Sequence, residues 1–278
     1  MFERKVCVVG AGTMGRGIAQ VFAMAEWDVL LIDNSKEQLD RAFNYMRKYL
    51  AFEHNQEEIE AIIQRIKTNE ALDQQISEYP FIVEAVPENL ELKKRIFREI
   101  EALVSEDTIL ATNTSQISVT SIASACKLTN RFLGMHFSNP PHRMELVEII
   151  RGLKTDENTV EKVVEITKDI GKAPYVVNDA QGFVVSRIAA VVIAEGVRIL
   201  EEGICDKETL DGIIKTGLNH PMGPLELADH VGMDVFLMSC TGMFEQYGDA
   251  FRVPGTVKRY VEAGLLGKKT GEGFYKYK

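Results

Sequence analysis

The chain has 278 residues, 45% of them hydrophobic and 26% charged, with a formal net charge of −9. That length suggests two domains, and the composition is ordinary for a globular protein with a sizeable core. The acidic balance, with no basic cluster, argues against nucleic acid as a partner, and no apolar run approaches the roughly 20 residues needed to cross a bilayer. The first residues, MFERKVCVVG, lack a basic stretch followed by an apolar segment, so the expected location is the cytoplasm. Cys7, Cys126, Cys205 and Cys240 are far apart with no CxxC pair, and read as reduced, mostly buried thiols.

In chain order, KVCVVG (5–10) is a short apolar, β-branched run ending in glycine, the pattern of a buried strand. Helical spacing follows over 13–25, then a second strand, DVLLID (28–33). Further strands are expected at FIVEAV (81–86), TILATN (108–113), RFLGMHF (131–137), MELVEII (144–150) and PYVVND (174–179), with helical patterns at 90–104 and 157–170 between them. Strands alternating with helices imply a largely parallel sheet covered on both faces. The segment 35–80 is unusually long for a connection; a serine-capped helix and a second helix at NQEEIEAIIQRI predict a two-helix arm projecting from the sheet.

After residue 179 the strand signals stop. GFVVSRIAAVVIAEGVRILEEG (182–203) is apolar on nearly every side, which predicts a helix that is buried or forms an interface. Asp206 is the expected N-cap of the next helix. The fold class is therefore α/β: an N-terminal Rossmann-type doubly wound sheet with a helical arm, residues 1–181, followed by an all-α C-terminal domain, residues 182–278. The apolar helix predicts a homodimer or higher homo-oligomer.

Gly10, Gly12 and Gly15 form GAGTMG between the first strand and the first helix, the context in which such glycines bind a dinucleotide. Gly10 permits a tight turn, Gly12 lets a pyrophosphate approach the backbone, and Gly15 lets helix and strand pack closely. Asp33 ends the second strand 18 residues after Gly15. A carboxylate there accepts the ribose hydroxyls of NAD and repels the 2′-phosphate of NADP. The competing reading is an acid that only caps the next helix. FAD shares the fingerprint.

His136 follows an apolar run, Pro140 and Pro141 break the chain, and Glu148 lies in the next apolar run. That spacing suits a His–carboxylate pair meeting across a turn, in which the acid fixes the tautomer of a general acid or base. It favours nicotinamide chemistry over FAD. A core histidine and a solvated strand glutamate fit the same spacing. A metal set of His136, His142 and Glu145 is disfavoured, because the prolines prevent helical ligand spacing and no HExxH is present.

VVGAGTMGRGIAQVFA, VEAVPENLELKKRIF, ILATNTS, GMHFSNPP…LVEII, GFVVSRI, HPMGPLELADHVGMD and AGLLGKKTGEGFYKY together resemble the L-3-hydroxyacyl-CoA dehydrogenase family, over the whole chain. The resemblance implies NAD-dependent oxidation of a short-chain (S)-3-hydroxyacyl-CoA, with His136 as general base or acid, Glu148 its partner, and Ser115 hydrogen-bonding the substrate oxygen. It also implies cofactor contacts from Thr13 and Met14 beside the three glycines, from Asp33, and from Ala85, Val86, Glu88, Lys93 and Asn113 around the nicotinamide half. The arm would cover the CoA end, with Arg47 and Lys48 available to the substrate, and Asn139 would line the substrate site. The helical domain would close the cleft and supply the dimer interface.

Three positions depart from the family's usual pattern. Ser186 stands where an Asn helps position the substrate, the arm tip carries Glu53, Glu57, Glu58 and Glu60 where lysines are usual, and Ser138 replaces an aromatic residue. They keep open the same chemistry on a non-CoA 3-hydroxy acid or alcohol, and an NAD-binding protein with little catalysis.

Overall fold

The structure, a computed structural model, describes residues 3–277. It divides into two compact units, the first ending at Ala180 and the second beginning at Gln181.

The first unit is built on one eight-stranded sheet: β1 (Lys5–Val9), β2 (Asp28–Ile32), β3 (Ile66–Asn69), β4 (Phe81–Glu84), β5 (Ile109–Thr112), β6 (Phe132–Phe137), β7 (Leu146–Arg151) and β8 (Ala173–Asn178). Their spatial order is β3-β2-β1-β4-β5-β6-β7-β8. Pairing is parallel from β3 through β6; β7 turns back antiparallel to β6, and β8 runs parallel to β7. The central strands are buried on both faces, which is why they read as continuous apolar runs rather than as alternating ones. The helices are α1 (Thr13–Met24), α2 (Lys36–Leu50), α3 (Gln56–Gln64), α4 (Leu90–Leu103), α5 (Val119–Ala123) and α6 (Glu157–Asp169).

The segment 35–80 holds more than two helices. Leu39, Ala42, Met46 and Leu50 of α2 and Ile59 and Ile63 of α3 join the core that α1 and the sheet share. The chain then re-enters the sheet as β3, parallel to β2. The apolar faces of both helices are packed against α1 and against one another. β3 escaped the sequence reading because IKTN is only four residues long and mostly polar, so an edge strand left no apolar run.

The second unit is helical: α7 (Val185–Glu201), α8 (Lys207–Gly217), α9 (Pro224–Val231), α10 (Met233–Tyr247) and α11 (Gly255–Glu262). Ile193, Ala194, Val197, Leu225, Phe236 and Met243 form its core. Asp206 caps α8 by accepting from the Thr209 amide. Buried Asp229 ties down the C-terminal segment by accepting from the Phe274 and Tyr275 amides, both at 2.8 Å.

Candidate active site

Because β1, β4, β5 and β6 run parallel, their C-terminal ends share one edge of the sheet. Four segments therefore meet there: the glycine turn after Val9, residues 84–88, residues 112–115, and His136. This is the edge at which open α/β sheets hold ligands.

At the first segment, Gly10 has φ +104°, and a Cβ on it would lie 2.7 Å from the Ala85 carbonyl oxygen. A Cβ on Gly15 would collide with the Gly10 carbonyl, whereas one on Gly12 would meet nothing within 4 Å. Gly10 and Gly15 thus keep the turn closed, and Gly12 leaves open space beside the backbone. Gly12 is the N-cap of α1 with no side-chain cap, and the first turn, which begins at Thr13 and Met14, carries no acid. Its amides and partial positive charge are left to an external anion.

The Asp33 carboxylate accepts from the Ala11 amide at 2.8 Å and from the Ser35 amide at 3.0 Å. It is fixed beside the glycine turn, while Ser35 caps α2. The reading of Asp33 as a mere helix cap is thereby displaced, since Ser35 does that work. Open space at Gly12, an uncapped helix end and a fixed carboxylate at the β2 terminus fit a dinucleotide.

At the second and third segments Lys93, expected to line the nicotinamide half, sits in a buried ion network. Lys93 and Glu84 are both fully buried. The Lys93 ammonium donates to Glu84 at 2.7 Å and reaches the Val86 and Asn113 carbonyls at 3.4 and 3.5 Å. Glu84 also accepts from the Thr112 hydroxyl at 2.6 Å and the Val86 amide at 2.7 Å. Burial pushes the Glu84 carboxyl up, and Lys93, Thr112 and the Val86 amide pull it back. The network holds Ala85–Val86 and Asn113 in register. Asn113 in turn accepts from the Phe137 amide at 3.1 Å, which links the ends of β5 and β6.

Glu88 grips the serine loop. One of its oxygens accepts from the Thr114 hydroxyl at 2.6 Å and from the Ser115 and Gln116 amides, each at 3.0 Å. Ser115 Oγ then lies 3.1 Å from His136 Nε2, and His136 Nδ1 lies 2.8 Å from Glu148 Oε2. His136 and Glu148 are directly opposed across β6 and β7. The proline break reverses the chain and the antiparallel register brings the carboxylate under the imidazole. The side chains are 11% and 3% exposed, so the pair interacts in a poorly solvated setting. With Nδ1–H donating to Glu148, Nε2 offers its lone pair toward Ser115 and the ligand edge.

A Ser–His–Glu array of this kind also serves nucleophilic hydrolysis. Here the Ser115 and Gln116 amides, the donors nearest the serine, are directed at Glu88. They are not free to stabilise an oxyanion, which favours proton transfer over acyl transfer.

The other expected residues are more widely spread. Asn139 is exposed in the loop after β6. Arg47 is held in a two-point ion pair with Glu60, at 3.2 and 3.1 Å, and Lys48 is exposed. Glu58 completes a capping box with Asn55 at the start of α3, and Glu57 lies in its first turn. The acids of the arm thus satisfy a helix terminus and an arginine. Ser186 lies in the first turn of α7, in the second unit. The sequence reading did not single out Glu84, Thr112 or Thr114; an acid inside the apolar FIVEAV run was the visible signal.

Comparison with known proteins agrees with this geometry. The profile of the 3-hydroxyacyl-CoA dehydrogenase NAD-binding domain matches residues 5–180, and that of the family's C-terminal domain matches residues 182–277. The chain is 41% identical to a probable 3-hydroxybutyryl-CoA dehydrogenase of Deinococcus radiodurans, over 98% of this chain and 100% of that one. Among solved structures it is similar to FadB2 of M. tuberculosis, at 35% identity with a TM-score of 0.96, and to (S)-3-hydroxybutyryl-CoA dehydrogenase of Ralstonia eutropha, at 37% with a TM-score of 0.94; each match covers 100% of both chains. A dinucleotide cradle beside a Ser–His–Glu array, on a chain matched end to end by both domain profiles, makes this protein a member of the 3-hydroxyacyl-CoA dehydrogenase family and an NAD-dependent oxidoreductase.

Proposed function

We propose that the chain interconverts short-chain (S)-3-hydroxyacyl-CoA and 3-oxoacyl-CoA, with 3-hydroxybutyryl-CoA and acetoacetyl-CoA as the working pair. The observation that carries this reading is the continuous Ser115–His136–Glu148 contact beside the Gly12 and Asp33 cradle. His136 Nε2 takes the proton of the substrate 3-hydroxyl in oxidation and returns it in reduction. Glu148 stabilises the imidazolium that forms and holds the ring in the right tautomer. The Ser115 hydroxyl, steadied by Glu88, orients the substrate oxygen at Nε2. NAD, when bound, accepts or returns the hydride at the same carbon. Asp33 favours NAD over NADP by charge.

The two units divide the work in this reading. The first carries cofactor and proton transfer. The second supplies self-association, for which the exposed Ile188 and Val191 on α7, 61% and 38% accessible, are the support. A homodimer working in the cytoplasm is the expectation we keep, and size-exclusion chromatography with light scattering tests the oligomer.

The deciding assay follows NADH absorbance with acetoacetyl-CoA and with free acetoacetate at equal concentration. Turnover of the thioester alone supports the proposal. Equal turnover of both, or of acetoacetate alone, would transfer the chemistry to a non-CoA substrate. Tight NADH binding with no turnover of either would mark a non-catalytic binder.

A further inference from the structure

We propose that Asp179 is a positioning residue for the reaction, tying the end of β8 to the loop that carries Ser115. The inference rests on the dehydrogenase reading above. It goes beyond that reading, because Asp179 touches neither Ser115 nor His136.

Asp179 follows the last residue of β8, two positions before the second unit begins. Its backbone amide still donates to the Arg151 carbonyl at 2.9 Å, so its main chain is registered against the end of β7. Its carboxylate turns to the segment that follows β5. One oxygen accepts from the Ser118 hydroxyl at 2.7 Å and the Thr120 amide at 2.8 Å; the other accepts from the Val119 amide at 3.1 Å. These are the opening residues of α5, and Ser118 already serves there as N-cap for the Ser121 amide. A five-residue helix does not need two capping oxygens for its own stability. The second comes from 59 to 61 residues away in sequence.

The consequence falls on Ser115. Residues 114–118 and the first turn of α5 form one short stretch held at both ends by carboxylates. Glu88 grips Thr114, Ser115 and Gln116, and Asp179 grips 118, 119 and 120. Glu88 sets where the loop starts. Asp179, with three bonds, is the main anchor of the far end, where the Leu153 amide also donates to the Thr120 hydroxyl at 3.0 Å, and Ser115 Oγ is left 3.1 Å from His136 Nε2. Charge-assisted bonds from a carboxylate to backbone amides are strong enough for this task. Removing them lets the hydroxyl drift from its place by a fraction of an ångström to an ångström, and such a shift costs up to about 100-fold in rate.

The test is a cycle of Asp179→Asn, Ser115→Ala and the double variant, with Ser118→Ala as a milder change that leaves Asp179 and its two backbone bonds in place. Two readouts are needed. One is kcat with acetoacetyl-CoA and NADH; the other is the 15N spectrum of the His136 ring in the free protein, which reports the hydrogen bond at Nε2 without any substrate. Asp179→Asn is expected to lower kcat roughly 10- to 100-fold, with NADH affinity unchanged. It should move the His136 Nε2 signal toward its position in Ser115→Ala. Added to Ser115→Ala, it should lower kcat no further, since the positioned group is already gone. Ser118→Ala should show the same pattern more weakly.

Equal losses from Asp179→Asn in the presence and absence of Ser115 would overturn the proposal, as would a wild-type His136 spectrum in a variant that has merely lost thermal stability. If the wild-type protein turns over no acyl-CoA, the functional reading fails, and the ring spectrum still decides for or against Asp179.

Discussion

Replacing Glu148 by Gln keeps the shape of the side chain and removes a charge that lies 2.8 Å from the imidazole Nδ1. Both partners are nearly enclosed, at 3% and 11% exposure, so solvent screens the pair weakly. With charge centres about 4 Å apart and an effective dielectric of about 20, the imidazolium loses about 4 kcal/mol of Coulomb stabilisation. If the imidazolium is formed or consumed in the rate-limiting proton transfer, that loss appears in full as a fall in kcat of about 1000-fold. The amide also offers Nδ1 either an N–H or a carbonyl, so part of the population adopts the wrong tautomer and the fall deepens. NADH affinity should stay within about threefold, because Glu148 lies behind the imidazole and away from the glycine turn. The assay is steady-state reduction of acetoacetyl-CoA, with NADH binding followed separately by fluorescence and folding by circular dichroism. A folded Glu148→Gln protein with kcat within threefold of wild type would refute the argument, because His136 would then not be charged in the step that limits the rate.

Three further outcomes follow from the same geometry. Gly12→Ala should fold with nearly wild-type stability and lose NADH affinity, since a Cβ there meets only open space, whereas Gly15→Ala should be strongly destabilised by collision with the Gly10 carbonyl; thermal melts and NADH titrations separate the two, and equal effects on folding would contradict the assignment. Lys93→Met leaves Glu84 buried without its cation and should cost about 3–5 kcal/mol in urea unfolding, with partial recovery in Lys93→Met/Glu84→Gln. In the single variant the Glu84 pKa, already raised by burial, rises further; a raised carboxyl is stable protonated, so the deficit should grow as pH rises above the ordinary carboxylate range, and a flat deficit would show that Glu84 is not its source. His142 has its pKa lowered by burial and by the neighbouring Arg143 and Lys172; the unfolded chain therefore binds that proton more readily, and stability is lost as pH falls below the unfolded value of about 6.5. His142→Gln should flatten that acid limb, and an unchanged limb in urea midpoints would rule His142 out as its cause.

The sequence made some parts of this site readable and concealed others, and the division follows the range of the interaction. The glycine turn, Asp33 and the caps at Ser35 and Asp206 depend on neighbours within a few residues, so their residue types state their roles. His136 and Glu148 were readable for a related reason: a hairpin broken by prolines makes two distant residues local. The Glu84–Lys93–Thr112 network was not readable, because it depends on β4 lying beside β5, and a lysine nine residues after a glutamate carries no signal of its own. Lys93 was placed beside the nicotinamide half by the resemblance alone; its ammonium lies against Glu84, Glu88 and two carbonyls. The arm shows the same limit. Glu60 read as an acid opposing an anionic substrate, whereas it closes on Arg47 across the α2–α3 turn, and Glu58 caps a helix.

That last point bears on how a chain of net charge −9 builds a site for an anionic cofactor. At the ligand edge the acids are matched by donors that belong to the chain. Asp33 takes two amides, Glu84 an ammonium, an amide and a hydroxyl, and Glu88 two amides and a hydroxyl. A carboxylate surrounded in this way acts as a clamp on loops, and its field is largely answered at close range by the dipoles it has drawn in. The amides at the start of α1 are treated differently, with no acid in the first turn and no side-chain cap. The positive end of that helix is thus left unanswered while the acids around it are not. Attraction for the pyrophosphate comes from that contrast, and net charge, which counts the clamped acids at full value, gives no measure of it.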